Sequence, residues 1–142
     1  MKFFFPRRKL SAKELLLVPE AFWEILIARI KVSYLPSSKY LHLNCGTKTI
    51  SPTRKKLESV KLIASTINGL SSRTPFPSTC LVKVLAAHKL LEKRNISHTV
   101  HFGVKKDSSK VLNAHAWLSV ANEIIIGGGD LDDFNEISRF SL

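Results

Sequence analysis

Acidic residues are scarce in this sequence of 142 residues. Asp and Glu number 11 against 22 Lys and Arg, so the formal net charge is +11. Such an imbalance favours an acidic partner: nucleic acid, an anionic membrane surface or an acidic peptide. The sequence has no long Lys/Arg tract, no aromatic-interleaved RNA motif and no zinc-finger spacing. We therefore interpret the charge as a solvated basic surface rather than as a nucleic-acid footprint.

Cysteine is also rare. The sequence contains two, Cys45 and Cys80, whereas a small secreted disulfide scaffold normally carries more. The apolar run at residues 3–5 is too short for the core of a signal peptide. Charged residues and a proline interrupt the longest apolar stretch, residues 15–30, which argues against a membrane-spanning helix. These absences predict a cytoplasmic protein with free thiols and no transmembrane segment.

The order of sequence patterns indicates the fold class. Hydrophobic residues make up 44% of the chain, enough for the core of one domain. We expect a single domain over residues 1–142, with a helical N-terminal part at 1–70 and the chemistry in residues 71–142. In the second part, a helix from about Thr79 to Lys93 precedes segments rich in β-branched residues. Helices followed by a small antiparallel sheet indicate the α+β class.

Local signals place the ends of several elements. Ser11 and Glu14 have capping-box spacing at the start of the first helix. Pro19 is expected to end that helix or to begin a second one, and Asn68-Gly69 is expected to end a later helix. The turn Ala121-Asn122 is expected to join two strands of a hairpin. The expected strands cover residues 97–104, 113–120 and 123–126.

Cys80 is the first candidate for chemistry. It lies in the first turn of a predicted helix, where backbone N–H groups are unpaired and the helix dipole is positive. Both effects favour the thiolate, which is the reactive form of cysteine. The same amides can hold an oxyanion during acyl transfer. The position alone is more typical of a buried cysteine that packs as a small hydrophobic residue.

His115 gives Cys80 a possible base. A cysteine nucleophile needs an imidazole within hydrogen-bond reach, and that imidazole needs a third group to orient it. A cysteine at a helix start and a histidine on a strand can meet this need, because both elements are rigid. The pairing, its order and its spacing carry the hypothesis, since an isolated strand histidine is more often structural.

The remaining candidates are weaker. His42 and Cys45 are too few to hold a metal ion. His88 falls on the apolar face of the Cys80 helix and is expected to be a core histidine with satisfied hydrogen bonds. His98 and His101 are three residues apart on one strand and point to opposite faces, which is poor metal geometry. The sequence thus predicts no metal site and no cofactor.

Four segments in the second half resemble, in order, those of a known family. Residues 80–96 look like its Cys-Leu helix, and His101-Phe102-Gly103-Val104 looks like the strand after it. Ala114-His115-Ala116-Trp117-Leu118 matches its Ala-His-Ala-Trp motif, and Ile125-Ile126-Gly127-Gly128 resembles the next strand. The family is that of the lasso-peptide biosynthesis B2 proteins, related to the microcin J25 processing protein. It is built on a transglutaminase-like, papain-like cysteine peptidase core.

The resemblance implies removal of a leader peptide from a ribosomally made precursor. Cys80 would be the nucleophile and His115 the general base and acid. The family's acidic third residue has no clear counterpart, because Gly127 and Gly128 occupy the nearest hairpin positions. Asp130 is the closest downstream candidate, and a backbone carbonyl is the alternative orienting group. Asp132 and Asp133 are weaker candidates.

The resemblance also implies partner proteins, and two alternative functions stay open beside it. This chain is expected to need a separate leader-recognition B1 protein and to act beside a lasso cyclase. One alternative is acyl transfer on the same residues, which forms a new amide bond instead of hydrolysing one. A second alternative is a non-catalytic basic module that binds nucleic acid, with affinity that falls steeply with salt.

Overall fold

The computed structural model describes residues 11–40, 52–129 and 131–141. Within these ranges, helices occupy the first part of the chain and strands the second. The helices are α1 Ala12–Tyr34, α2 Ser37–Tyr40, α3 Arg54–Ser71 and α4 Cys80–Glu92. The strands are β1 Thr99–Lys106, β2 Leu112–Val120, β3 Glu123–Ile126 and β4 Asn135–Ser141. The strands form one four-stranded antiparallel sheet in the order β3-β2-β1-β4. The α+β class expected from the sequence is confirmed.

Helix α1 begins where the capping pattern predicts. The backbone N–H of Ser11 donates to Glu14 Oε2 at 2.7 Å, which satisfies a donor that a helix start leaves unpaired. The expectation that Pro19 ends or restarts the helix is wrong, because α1 continues through Pro19 to Tyr34. A proline inside a helix costs about 3 kcal/mol. Burial of Ile25 and Ala28 beyond the proline offsets this cost.

Helix α3 begins after its N-cap residue Thr53 and ends later than expected. Asn68-Gly69 does not stop it, because α3 runs on to Ser71. Gly69 keeps a negative φ rather than the left-handed conformation of a glycine cap. The buried residues Val60, Ile63 and Ile67 hold this helix against the rest of the molecule.

Helix α4 is the centre of the core. It packs against α1, α3 and β2, and its small residues Ala86 and Ala87 are fully buried. Small side chains allow close approach of neighbouring backbones. The core continues into the sheet through Val100, Leu118 and Ile126. A short connection after Glu92 leads directly into β1.

The sheet contains the predicted hairpin and one unpredicted strand. Ala121 and Asn122 join β2 to β3 with φ of 49° and 66°, the positive values of a type I′ turn. Strand β4 pairs antiparallel with β1 and was not expected. Its sequence, Asn-Glu-Ile-Ser-Arg-Phe-Ser, has little apolar alternation, and its partner precedes it by more than 30 residues.

Candidate active site

Cys80 is the first residue of α4, and Thr79 is the N-cap in an extended conformation. The first intrahelical bond of α4 runs from the Lys83 N–H to the Thr79 carbonyl. The amides of Cys80, Leu81 and Val82 precede it and have no intrahelical acceptor. Cys80 is partly exposed and forms no disulfide. A partly accessible thiol thus sits among unpaired helix N–H groups, as the sequence predicts.

His115 lies on β2 and makes a hydrogen bond that defines its tautomer. Its Nε2 is 2.8 Å from the carbonyl oxygen of Gly127. A carbonyl can only accept, so Nε2 carries the proton and donates it. In the neutral ring, the basic lone pair is therefore on Nδ1. The backbone carbonyl that orients this imidazole is the alternative that the sequence left open beside Asp130.

Gly127 is suited to this role because no other residue fits its position. Its φ is +75°, and a Cβ built on it would lie 2.5 Å from the Ala116 carbonyl oxygen and 3.0 Å from Trp117 Cα. Contacts that short do not occur for real side chains. The glycine thus lets the chain leave β3 close to β2, with its carbonyl aimed at His115.

Two aromatic rings flank the imidazole. The His115 ring is 6.1 Å from the Trp117 ring in a stacked arrangement and 5.2 Å from the Phe134 ring. Trp117 is buried, and its six-membered ring lies where Gly103 lacks a side chain, because a Cβ there would approach it to 2.8 Å. The Gly-Val and Ala-His-Ala-Trp motifs thus meet in space across β1 and β2. Trp117 therefore packs beside His115.

A second histidine supports Trp117 from the other side, and the sequence reading missed this role. The His101 ring stacks on Trp117 at 5.4 Å with an angle of 2°. His101 also hydrogen-bonds Glu136 Oε2 at 2.9 Å through Nδ1 and Ser119 Oγ at 2.8 Å through Nε2. Burial acts to raise the pKa of Glu136, but the hydrogen bonds from His101 and Arg139 outweigh it, so the pKa is lowered. The signal was weak because Glu136 lies on the unpredicted β4.

The structure does not join Cys80 and His115. No hydrogen bond links the two side chains among the described residues. Alternation along β2 turns Ala116 and Leu118 toward the helices and puts His115 on the other face with Trp117. The contact that a cysteine–histidine dyad requires is therefore not present in this structure.

The carboxylates that are candidates for the third catalytic residue, beside Cys80 and His115, lie in different surroundings. Asp130 lies outside the described residues, between Gly129 and Leu131. Asp133 is exposed and pairs with Lys105 Nζ at 2.8 Å, and this hydrogen bond and charge lower its pKa. The hydrogen bonds of His115 to described residues include none to a carboxylate.

The other histidine and cysteine candidates do not form a metal site where the structure describes them. His88 is buried, and its Nδ1 is 2.8 Å from His98 Nε2, while His98 Nδ1 donates to the Ile96 carbonyl at 2.8 Å. His88 is therefore a core histidine with a satisfied hydrogen bond, as expected. No cluster of three or more metal-binding side chains occurs in the described ranges. His42 and Cys45 lie outside them.

No helix within the described ranges is both long and apolar enough to cross a membrane.

Comparison with known proteins identifies the family. A family model described as the transglutaminase-like superfamily matches residues 26–139. No curated protein matches the chain, and no solved structure matches it. The matched residues extend from within α1 to β4, and they include both Cys80 and His115. Since the match covers well over half of the sequence, the chain belongs to the transglutaminase-like superfamily.

Proposed function

We propose that this protein is a cysteine peptidase that removes the leader peptide from a ribosomally made lasso-peptide precursor. The superfamily match supports cysteine chemistry. The narrower assignment rests on the Cys-Leu, Gly-Val and Ala-His-Ala-Trp segments and their order. The observation that carries it is the position of Cys80 as the first residue of α4, followed in the chain by the strand β2 that bears His115.

The proposed reaction proceeds through an acyl-enzyme. The Cys80 thiol transfers its proton to His115 Nδ1, and the thiolate attacks the scissile carbonyl. Unpaired N–H groups at the start of α4 stabilise the oxyanion. The imidazolium then protonates the leaving amine, and the C–N bond breaks. Finally, His115 removes a proton from water, which attacks the thioester and releases the free acid and the thiol.

The orienting group for His115 is proposed to be the Gly127 carbonyl. It already holds the Nε2 proton at 2.8 Å, which leaves Nδ1 to act as the base. Asp130 remains a candidate for a supplementary carboxylate. Because His115 lies on the sheet face opposite the helices, the proposed dyad requires a rearrangement that brings the imidazole to the Cys80 thiol when the substrate binds.

Partners follow from the same proposal. The substrate is a precursor peptide, presented by a separate leader-recognition B1 protein and passed on to a lasso cyclase. The excess of basic residues could attract an acidic leader or the partner that carries it. The cleavage takes place in the cytoplasm, where the Cys80 thiol stays reduced. No metal or organic cofactor takes part in the proposed steps.

A cleavage assay tests the proposal. Precursor, leader-binding partner and protein are mixed, and the fragments are measured by mass spectrometry for wild type, Cys80→Ala and His115→Ala. We expect leader release by wild type and at least about a thousandfold loss in either variant. Cys45→Ala is the matched control and should cleave at the wild-type rate. Equal cleavage by wild type and Cys80→Ala would reject the peptidase proposal.

A substrate-free experiment tests the pairing of Cys80 with His115 directly. In a Cys45→Ala background, Cys80 is the one remaining thiol of the sequence, and its alkylation by iodoacetamide follows the thiolate fraction. If His115 takes the thiol proton, His115→Ala slows alkylation at neutral pH and leaves the rate at alkaline pH nearly unchanged. The same pH profile in both proteins would show that the two residues do not act as a pair.

Acyl transfer is the second candidate function, because the matched superfamily is named for transglutaminases. In that reaction an amine, rather than water, attacks the thioester. The product distinguishes the two reactions: hydrolysis yields two separate fragments, whereas transfer joins the acyl fragment to an amine by a new amide bond. An added primary amine that appears in the product mass would favour transfer.

A further inference from the structure

Helix α1 is apolar on two opposite faces. One face carries Leu17, Ala21, Ile25 and Ala28, which are buried in the core. The other face consists of large apolar side chains that are exposed to solvent. The strongly exposed members are Leu15 (63%), Leu16 (80%), Trp23 (60%), Ile30 (49%) and Tyr34 (82%). We call this set the α1 outer face.

Helical spacing makes the α1 outer face one continuous stripe. Leu16, Trp23 and Ile30 follow each other at intervals of seven residues, and Tyr34 follows Ile30 by four. These intervals keep side chains on one side of a helix, one above the other. Scattered exposed apolar residues need no explanation, but a contiguous stripe of this kind marks an interaction surface.

Cationic side chains border the stripe. Lys13 and Lys31 are 18 residues, or five helical turns, apart and lie along one edge, and Arg29 lies along the other. The acidic residue on the same border, Glu20, is already paired with Arg94 at 2.7 Å and with Lys93 at 3.5 Å. The free charge beside the stripe is therefore positive, in agreement with the net charge of +11.

We propose that the α1 outer face docks on an anionic lipid surface, an activity separate from the proposed peptide cleavage. The exposed side chains project outward from a helix, so they can enter a fluid interface without a complementary pocket. Tryptophan and tyrosine favour the boundary between headgroups and acyl chains, and flanking Lys and Arg reach the lipid phosphates from that depth. A second copy of this chain fits less well, because like-charged borders and two net charges of +11 would be brought together.

Vesicle sedimentation tests this proposal. The protein is mixed with vesicles of phosphatidylcholine alone or of phosphatidylcholine with phosphatidylglycerol, at low and high salt. We expect binding to the anionic vesicles, weakened by salt, and little binding to neutral ones. Leu16→Glu and Trp23→Glu should each weaken binding by about tenfold or more, since a charge would have to enter the apolar layer.

The matched control is Ile137→Glu. Ile137 on β4 is 65% exposed, so this variant makes the same chemical change away from α1, and it should bind as wild type does. Circular dichroism would verify that all variants are folded. Trp23 emission should also shift to shorter wavelength on binding in a Trp117→Phe background.

Three results would overturn the proposal. Unchanged binding of both α1 variants would show that the α1 outer face does not contact the lipid. Loss of binding only on replacing Phe3, Phe4 and Phe5 by serine would assign the contact to the N-terminal segment. A dimer in size-exclusion chromatography that Trp23→Glu converts to monomer would assign the face to a second copy of the chain.

Discussion

Gly127 determines both the path of the backbone after β3 and the tautomer of the His115 side chain. In Gly127→Ala, the new Cβ would meet the Ala116 carbonyl at 2.5 Å at a φ of +75°. We expect the free energy of unfolding to fall by about 2 kcal/mol. The carbonyl would also move from His115 Nε2, so cleavage should decrease more than stability alone explains. Urea denaturation and the cleavage assay measure the two effects.

Gly128→Ala is the control for this prediction. A Cβ at Gly128 would be 3.5 Å from the nearest atom, which is an ordinary contact, and its φ is not in the left-handed region. Stability and cleavage should both stay near the wild-type values. If the two alanine variants behave alike, the Gly127 carbonyl does not orient His115.

Gly103 is tied to Trp117 in a similar way. In Gly103→Ala, the methyl group would overlap the Trp117 ring at 2.8 Å, and overpacking of this kind costs about 2 kcal/mol. Gly69→Ala is the control, since nothing lies within 4 Å of that helical position and alanine favours a helix over glycine. Thermal denaturation should show a loss for the first variant and a small gain for the second.

A double variant separates the ring contact from other causes. Combining Gly103→Ala with Trp117→Leu makes room for the new methyl group, so the two changes should cost less together than the sum of their separate costs. Simple additivity would mean that the strain comes from another contact, such as the Asn135 carbonyl at 3.2 Å.

The sequence predicted the secondary-structure positions of Cys80 and His115 correctly, but it did not predict the groups that contact them. Cys80 at a helix start and His115 on a strand follow from local patterns, and both are found there. The Gly127 carbonyl could be named only as an alternative, because a backbone acceptor leaves no side-chain signal. The His101–Glu136 contact joins residues 35 positions apart, and such pairing depends on the fold rather than on local sequence.

Among the elements, α4 is joined to the residue that precedes β1 by a buried pair of histidines, His88 and His98. Burial, and then the charge of His98, lower the pKa of His88 to about 4. Burial also lowers the pKa of His98. An unfolded histidine titrates near pH 6.5. Below pH 6.5 these histidines become protonated in the unfolded chain but stay neutral in the folded protein. The free energy of unfolding is therefore highest above that pH and falls as the pH drops toward 4.

The direction of this pH dependence can be measured. The free energy of unfolding should decrease by roughly 3 kcal/mol between pH 7 and pH 4 through His88 alone. His88→Gln keeps an N–H that can donate to His98 and carries no titratable group, so its stability should depend less on pH over the same interval. Urea denaturation at several pH values tests this. An equal slope for both proteins would place the pH dependence elsewhere.

Element boundaries were predictable where the deciding interactions are local. The Ser11–Glu14 cap, the Thr79 cap and the Ala121-Asn122 turn each depend on neighbours within a few residues. The prediction of a helix end at Pro19 was wrong because burial of the later part of α1 outweighs the local cost of a proline inside the helix. Strand β4 was missed because hydrogen bonding to β1 selects it, and its own residues are largely polar.

For the whole molecule, helices and sheet share a single core. Buried side chains from α1, α3, α4, β1, β2 and β3 form one contiguous cluster. We therefore predict one cooperative unfolding transition, which also tests the expected single domain. In a Trp23→Phe variant, Trp117 fluorescence reports the sheet and far-UV circular dichroism reports mainly the helices. The two urea curves should coincide, and separate midpoints would show that residues 1–70 and 71–142 unfold independently.

The strand order also determines when the sheet can be completed during synthesis. Strand β1 has β2 on one side and β4 on the other. Its partner β2 follows after a short turn, but β4 is translated only after β2 and β3. On the ribosome, the second edge of β1 therefore stays open until residues 135–141 have emerged. An open edge of a central strand can pair with other chains, so a nascent chain of this protein is most exposed to misassembly just before β4 is added.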